Sequence, residues 1–160
     1  MSDAILTSNG SLLSRKAALL NASAVSVGAR CVVSAGASLH GERGAIRLGA
    51  DVAVGAYATL SPVLGDTLVC GALVVVGAGA RVEARALGDG VHVGTGAHVG
   101  PRAVVCAGSV VCAESVLAAD ARLVPGGVAV APFTGDADAA LVATMPTVVA
   151  QGLPARWVLH

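Results

Sequence analysis

The chain has 160 residues, a formal net charge of zero from ten basic and ten acidic side chains, and 55% hydrophobic residues, while aromatics make up only 2%. That length favours one compact domain, and the shortage of rings excludes an aromatic core and leaves aliphatic and small side chains to fill it. Balanced charge removes the electrostatic case for nucleic acid, which calls for a basic stripe, and no unbroken apolar run approaches the roughly 18 residues of a membrane-spanning helix.

Residues 1–26 read as a lead-in. Met1 to Lys16 lacks the basic, apolar and cleavage regions of a secretory signal, so an intracellular, cytoplasmic protein is expected. Cys31, Cys70, Cys106 and Cys112 have neither zinc-ligand pairing nor the density of a disulfide scaffold, and they read as reduced core or surface thiols.

From Val27 a period of six takes over and runs to residue 134. Val27, Val33 and Leu39 open it, followed by Leu48, Val54 and Leu60, then Cys70, Val76 and Val82. Leu87, Val93, Val99, Val105, Val111, Leu117 and Leu123 continue without a break, and from Val93 onward a small residue or Val91 lies two positions before each. A short repeat of this kind signals a solenoid. Each hexapeptide makes one strand and one turn, so three close a triangular coil of 18 residues and residues 18 apart stack at about 4.8 Å. The aliphatic fills the prism, the small residue permits the corner, and rings do not fit. The fold expected is an all-β solenoid, a parallel β-helix of hexapeptide repeats. Similarity to proteins with this repeat implies left-handed winding, an exception to the right-handed crossover rule.

Three irregularities interrupt the register: the nine-residue step from Leu39 to Leu48, the loop from Ser61 to Val69, and the five-residue step from Val82 to Leu87. Past Leu123 the repeat decays through Pro125, Gly126, Gly127, Pro132 and Phe133. Residues 135–160 read as a helix and tail, with Leu141, Val142 and Met145 at helical spacing, Pro146 as the stop and Trp157 pinning the terminus.

If the loop preserves the order of faces, Val32, Ala53, Val75, His92 and Val110 line up on one nearly uncharged, flat side. It is the expected partner-binding face, because apolar surface in water gains no polar return. Arg81, Glu83 and His98 fall on another, solvated face.

Two enzyme classes use the repeat. Compared with γ-class carbonic anhydrases, the metal-histidine positions are Ser61, Ala78 and Glu83, so the ligand set is absent. His92 and His98 are weak replacement candidates that point from different faces, and no metal or other cofactor is expected. Hexapeptide acyltransferases need a histidine general base and an intersubunit cleft for a thioester. His40, His92 or His98 could supply the base, but no carboxylate that would orient one is evident in the repeat, and no long loop walls off a cleft. A homotrimeric hexapeptide enzyme is therefore the second reading.

Several segments are more specific than the six-residue spacing alone: Ser14-Arg15, Ile46-Arg47-Leu48-Gly49, Leu87-Gly88, Val91-His92-Val93-Gly94, Val99-Gly100-Pro101-Arg102-Ala103-Val104 and Val130-Ala131-Pro132-Phe133-Thr134. On these the chain resembles the dynactin subunit 5 family, β-helix proteins of the dynactin pointed-end complex. That resemblance implies a non-catalytic, cytoskeleton-associated subunit in microtubule-based transport. Its implied partners are a dynactin subunit 6-like β-helix protein, other pointed-end subunits and cargo adaptors.

Overall fold

The computed structural model describes residues 4–129 and 132–133. It is a left-handed parallel β-helix of two- and three-residue strands. Three parallel ladders form the sides of a triangular prism, and successive strands of the chain visit them in rotation. We call them faces I, II and III. Face I carries, among others, Val32–Val33, Ala53–Val54, Val75–Val76, His92–Val93 and Val110–Val111. Face II runs through Ser38–His40, Thr59–Leu60, Arg81–Val82, His98–Val99 and Val116–Leu117. Face III includes Ile46–Leu48, Leu68–Cys70, Ala86–Leu87, Val104–Val105 and Arg122–Leu123.

The six-residue period is visible as burial. On every regular strand the second residue of the outward–inward pair points into the prism, so Val33, Val54, Val76, Val93 and Val111 stack as one buried column. Leu39, Leu60, Val82, Val99 and Leu117 form a second, and Leu48, Cys70, Leu87, Val105 and Leu123 a third. Small residues at the bends, such as Ala37, Ala58, Ala80, Ala97 and Ala103, are buried where two faces meet. Side chains of this size let three sheets converge without a void.

The residue after an inward aliphatic is often glycine because the next coil leaves no room there. A Cβ on Gly77 would lie 2.6 Å from the Thr95 amide nitrogen, and one on Gly49 would lie 2.7 Å from the carbonyl oxygen of Gly71. Of the three buried serines among the described residues, Ser11 and Ser109 donate hydroxyl hydrogen bonds to the carbonyls of Gly28 and Val124, both at 2.7 Å, so neither of these hydroxyls is left unsatisfied in the dry interior.

Parallel stacking begins earlier than Val27. Leu12–Ser14 pairs with Val32–Val33 and Ala18–Leu20 pairs with Ser38–His40, both within the stretch read from sequence as a lead-in. Their register-matched residues Leu13 and Leu19 are six apart, but the eight-residue step from Leu19 to Val27 separates them from the regular repeat and hid them. Ala4–Leu6 folds back antiparallel on Leu12–Ser14 and covers that end of face I, protecting an edge that would otherwise pair with another chain. The helix and tail expected over 135–160 lie outside the described residues. No helix among the described residues is long and apolar enough to cross a membrane.

Candidate functional site

All three breaks in the repeat fall at one corner. The chain leaves face II and enters face III between His40 and Ile46, between Leu60 and Leu68, and between Val82 and Ala86. The first two passages hold extra residues and the third is shortened, so two loops project from successive coils. They brace each other: the Gly65 amide donates to the Arg43 carbonyl at 2.8 Å, and Arg43 Nε donates to the Pro62 carbonyl at 3.2 Å. The loops and the rim of face II enclose a polar cleft of about 440 Å³, lined by His40, Glu42, Arg43, Thr59, Ser61, Arg81 and Glu83. Short loops thus build a cleft by stacking, contrary to the expectation that none is long enough to do so.

His40, Ser61 and Glu83 each follow an inward residue of the stacked column Leu39, Leu60 and Val82, which places them on successive coils at the same corner. His40 Nδ1 lies 2.8 Å from Glu42 Oε1, leaving Nε2 uncommitted. The hydrogen bond from His40 holds the Glu42 carboxyl below the ordinary carboxylate range, so it is ionised at neutral pH. Gly41 is the hinge: it is buried, and a Cβ there would meet the Leu20 carbonyl oxygen at 2.6 Å. Glycine is needed because the chain here passes directly against the Leu20 and Asn21 carbonyls, and in that close passage Glu42 comes back to His40.

A second imidazole–carboxylate pair stands on the same side. His98 Nε2 is 3.2 Å from Glu83 Oε1, and Arg81 Nε is 2.9 Å from the same oxygen. Glu83 and His98 are 15 positions apart; His98 pairs in register with Arg81, and Glu83, two residues further on, is its diagonal neighbour across adjacent coils. The sequence places Arg81, Glu83 and His98 on one face, as found, but it does not reveal that they touch. The expectation that no carboxylate orients a histidine is therefore corrected for His40 and His98.

The remaining sequence-derived positions lie elsewhere. Val32, Ala53, Val75, His92 and Val110 occupy register-matched outward positions on neighbouring strands of face I, with Val32 43% and Val75 40% exposed. Beside Val32 is a shallow depression of about 300 Å³ lined by Ala4, Leu12, Ser14, Val32, Val33, Ser34 and Ala35. His92 on face I and His98 on face II lie on different sheets. Of the three positions that match metal histidines of γ-class anhydrases, Ser61 and Glu83 line the cleft and Ala78 does not. All four cysteines are unpaired thiols; Cys31 and Cys70 are buried, and Cys106 and Cys112 are partly exposed.

The structure also explains the motifs behind the dynactin resemblance. In Val91-His92-Val93-Gly94, Val91 fills a bend, His92 points out, Val93 points in, and Gly94 packs against the Ala113 backbone. Ile46-Arg47-Leu48-Gly49 repeats that division on face III, with Gly49 against Gly71. Prism geometry demands the buried and glycine positions of both motifs, so those positions carry no information about a partner.

No protein-family model matches the chain, and no curated protein matches it. Solved structures share the fold. The acetyltransferase domain of PglB from Neisseria gonorrhoeae is 22% identical with a TM-score of 0.62, over 74% of this chain and 53% of that one. The chain thus spans about half the length of that domain. The same domain in complex with acetyl coenzyme A is 20% identical with a TM-score of 0.56, over 70% of this chain and 53% of that one. AntD, an N-acyltransferase from Bacillus cereus, in complex with dTDP and 3-hydroxybutyryl-CoA, is 15% identical with a TM-score of 0.62, over 89% of this chain and 88% of that one. These similarities concern the fold. They replace the dynactin subunit 5 reading, and with it fall the dynactin subunit 6-like partner, the pointed-end subunits, the cargo adaptors and the cytoskeletal association. The expectation of a non-catalytic chain is overturned as well, since it rested on histidines without carboxylates and the similar structures are those of enzymes.

Proposed function

We propose that this chain is an acyltransferase that moves an acyl group from a coenzyme A thioester to the amino group of a sugar-nucleotide acceptor. The observation that carries the reading is the His40–Glu42 pair in a cleft at a β-helix corner. With Nδ1 held by an ionised carboxylate, the neutral imidazole keeps its proton on Nδ1 and offers the Nε2 lone pair as a general base. The amine nitrogen attacks the thioester carbonyl carbon, the C–N bond forms, and Nε2 takes one amine proton. The C–S bond then breaks, and the imidazolium returns that proton to the departing thiolate, giving amide and free thiol. Glu42 orients the ring and stabilises its transient positive charge.

Acyltransferases that share the fold supply the donor and acceptor classes: the named structures hold acetyl coenzyme A, 3-hydroxybutyryl-CoA and dTDP. The same reading assigns the flat side through Val32, Ala53, Val75, His92 and Val110 to another copy of the chain, in a homotrimer whose subunit boundary receives the pantetheine arm.

The test is thiol release from acetyl-CoA in the presence of amino-sugar nucleotides. Acceptor-dependent release that His40→Ala abolishes supports the reading. Absence of release from the wild-type protein across acetyl and 3-hydroxybutyryl donors sinks it.

A further inference from the structure

The turn that carries the His40–Glu42 dyad is held between two coils. His40, Gly41, Glu42 and Arg43 form a tight turn, closed by the Arg43 amide donating to the His40 carbonyl at 3.2 Å. Toward the N-terminal end of the prism, Gly41 lies against the Leu20 and Asn21 carbonyls. Toward the other end stands the loop between Leu60 and Leu68, which holds its own shape through a bond from the Asp66 amide to the Val63 carbonyl at 2.8 Å.

Arg43 joins turn and loop twice over. Its carbonyl accepts the Gly65 amide at 2.8 Å, and its Nε donates to the Pro62 carbonyl at 3.2 Å, so one residue grips the loop near its entry and again further along. The ring of Pro62 fixes that residue's φ, which narrows the motion open to the acceptor. Gly44 follows directly and meets the loop backbone, where a Cβ would overlap the Asp66 carbonyl oxygen, and the Leu68 amide then donates to the Ala45 carbonyl at 2.9 Å. The dyad itself lies nearer the surface. The Glu42 side chain is 46% exposed, and an exposed ion pair has little energy of its own with which to select one geometry. Arg43 also bears on Glu42 by its charge: the hydrogen bond from His40 first, and the guanidinium to a smaller extent, hold the Glu42 carboxyl below the ordinary carboxylate range.

From this we infer that Arg43 is a positioning residue for the proposed base: by tying the dyad turn to the loop of the next coil, it keeps Glu42 on Nδ1 of His40 and leaves Nε2 as the nitrogen that accepts a proton. The inference rests on the acyltransferase reading for its consequence in the reaction, whereas the tautomer it sets exists without substrate. The hydrogen bond to the carboxylate decides which ring nitrogen carries the proton, so a turn that drifts changes the base as well as its place.

Nitrogen chemical shifts of the His40 ring in isotope-labelled protein, assigned by their loss in His40→Ala, report that tautomer directly. In the wild type the neutral ring should carry its proton on Nδ1. Arg43→Met keeps an apolar stem but removes donor and charge, and it should move the ring toward the Nε2–H form that free histidine prefers, with circular dichroism unchanged. Arg43→Lys keeps a charged donor and should restore most of the wild-type shifts. Arg43→Gln, a milder loss, should fall between them and guards against an Arg43→Met protein that does not fold. In acyl transfer Arg43→Met should lower kcat about ten-fold, part of the share of a general base, with both KM values changed less than about two-fold. Combined with Glu42→Gln it should cost little more, because both act through the same ring. Wild-type shifts in both Arg43→Met and Arg43→Gln, an Nε2–H ring in the wild-type protein, or losses that multiply in the double variant overturn the inference. A tautomer that depends on Arg43 in a protein without any thiol release overturns the acyltransferase reading and leaves the positioning contact standing.

Discussion

His40 and Glu42 are two positions apart, and what joins them is the glycine between. In a continuing strand Glu42 would point away along face II, and Gly41 instead folds the chain back under Leu20 and Asn21. The proposed chemistry separates the two residues by their effects. His40→Ala should lower kcat by about 10²- to 10⁴-fold, the usual share of a general base, and Glu42→Gln should lower it less while leaving the thioester KM unchanged, both measured by thiol release. Elsewhere the thiols divide by burial. Cys70 lies inside the prism, and burial pushes its thiol up to about 12. It should resist an aromatic disulfide reagent at pH 8 in the native protein and react only after unfolding, whereas the partly exposed Cys106 should react first. Sequence alone reached much of this scale. The inward columns, the bend residues and the outward row from Val32 to Val110 follow from a period of six, because a prism assigns every position in the repeat to one direction. The dyads did not follow: Gly41 turns the chain outside any strand to bring Glu42 to His40, and Glu83 reaches His98 as the diagonal neighbour of the Arg81–His98 pair, a contact that shared placement on one face does not by itself reveal.

At the scale of the element, each coil is held to the next by ladder hydrogen bonds, by glycines that allow close approach and by ion pairs at the bends. Gly77→Ala places a Cβ 2.6 Å from the Thr95 amide nitrogen, in a segment tied to the next coil by the hydrogen bonds Gly94 N–H to the Val111 carbonyl at 2.7 Å and Glu114 N–H to the Thr95 carbonyl at 2.9 Å. A destabilisation of about 1–3 kcal/mol is expected in urea unfolding, the range for overpacking. Arg30 and Asp51 form a two-bond pair across adjacent coils at 2.9 Å each, and Arg102 and Asp120 form another at 2.8 and 3.0 Å. All four have left-handed backbone conformations, with φ from 56° to 61°. The hydrogen bond from the paired guanidinium holds each carboxyl below its ordinary value of 3.8. A carboxyl depressed in the folded state adds stability above its unfolded pKa and loses it as pH falls through the folded value. The pairs are exposed and screened, so the effect is small and shrinks in salt. Asn tolerates the left-handed backbone better than most residues, so the double variant Asp51→Asn, Asp120→Asn isolates charge from strain. In thermal melts between pH 6 and 2, the wild type should lose more stability than the variant as pH drops below about 4, and the two curves should converge at high salt.

For the whole molecule, the distribution of charge gives the three sides different tasks. The corner between faces II and III collects Glu42, Arg43, Asp66, Glu83, Arg85, Arg102 and Asp120, while the central outward column of face I is Val32, Ala53, Val75, His92 and Val110. An uncharged, flat column that crosses five coils is poorly suited to solvent and well suited to burial against a neighbouring subunit; in a closed trimer the contact is heterologous, each subunit burying this column against a different surface of the next. Val75 stands at its centre and points outward, 40% exposed, with Ala53 and His92 beside it in register. A charge at that position should leave the isolated prism folded, because its side chain faces away from the core. In an assembly the same charge would be desolvated without a partner, which is strongly unfavourable. Val75→Asp should therefore retain the wild-type circular dichroism and move the mass by light scattering from three copies to one. If the pantetheine arm lies between subunits, this variant should also lose thiol release. A Val75→Asp protein that remains trimeric, or a wild-type protein that is monomeric at every concentration tested, rules out face I as the subunit boundary.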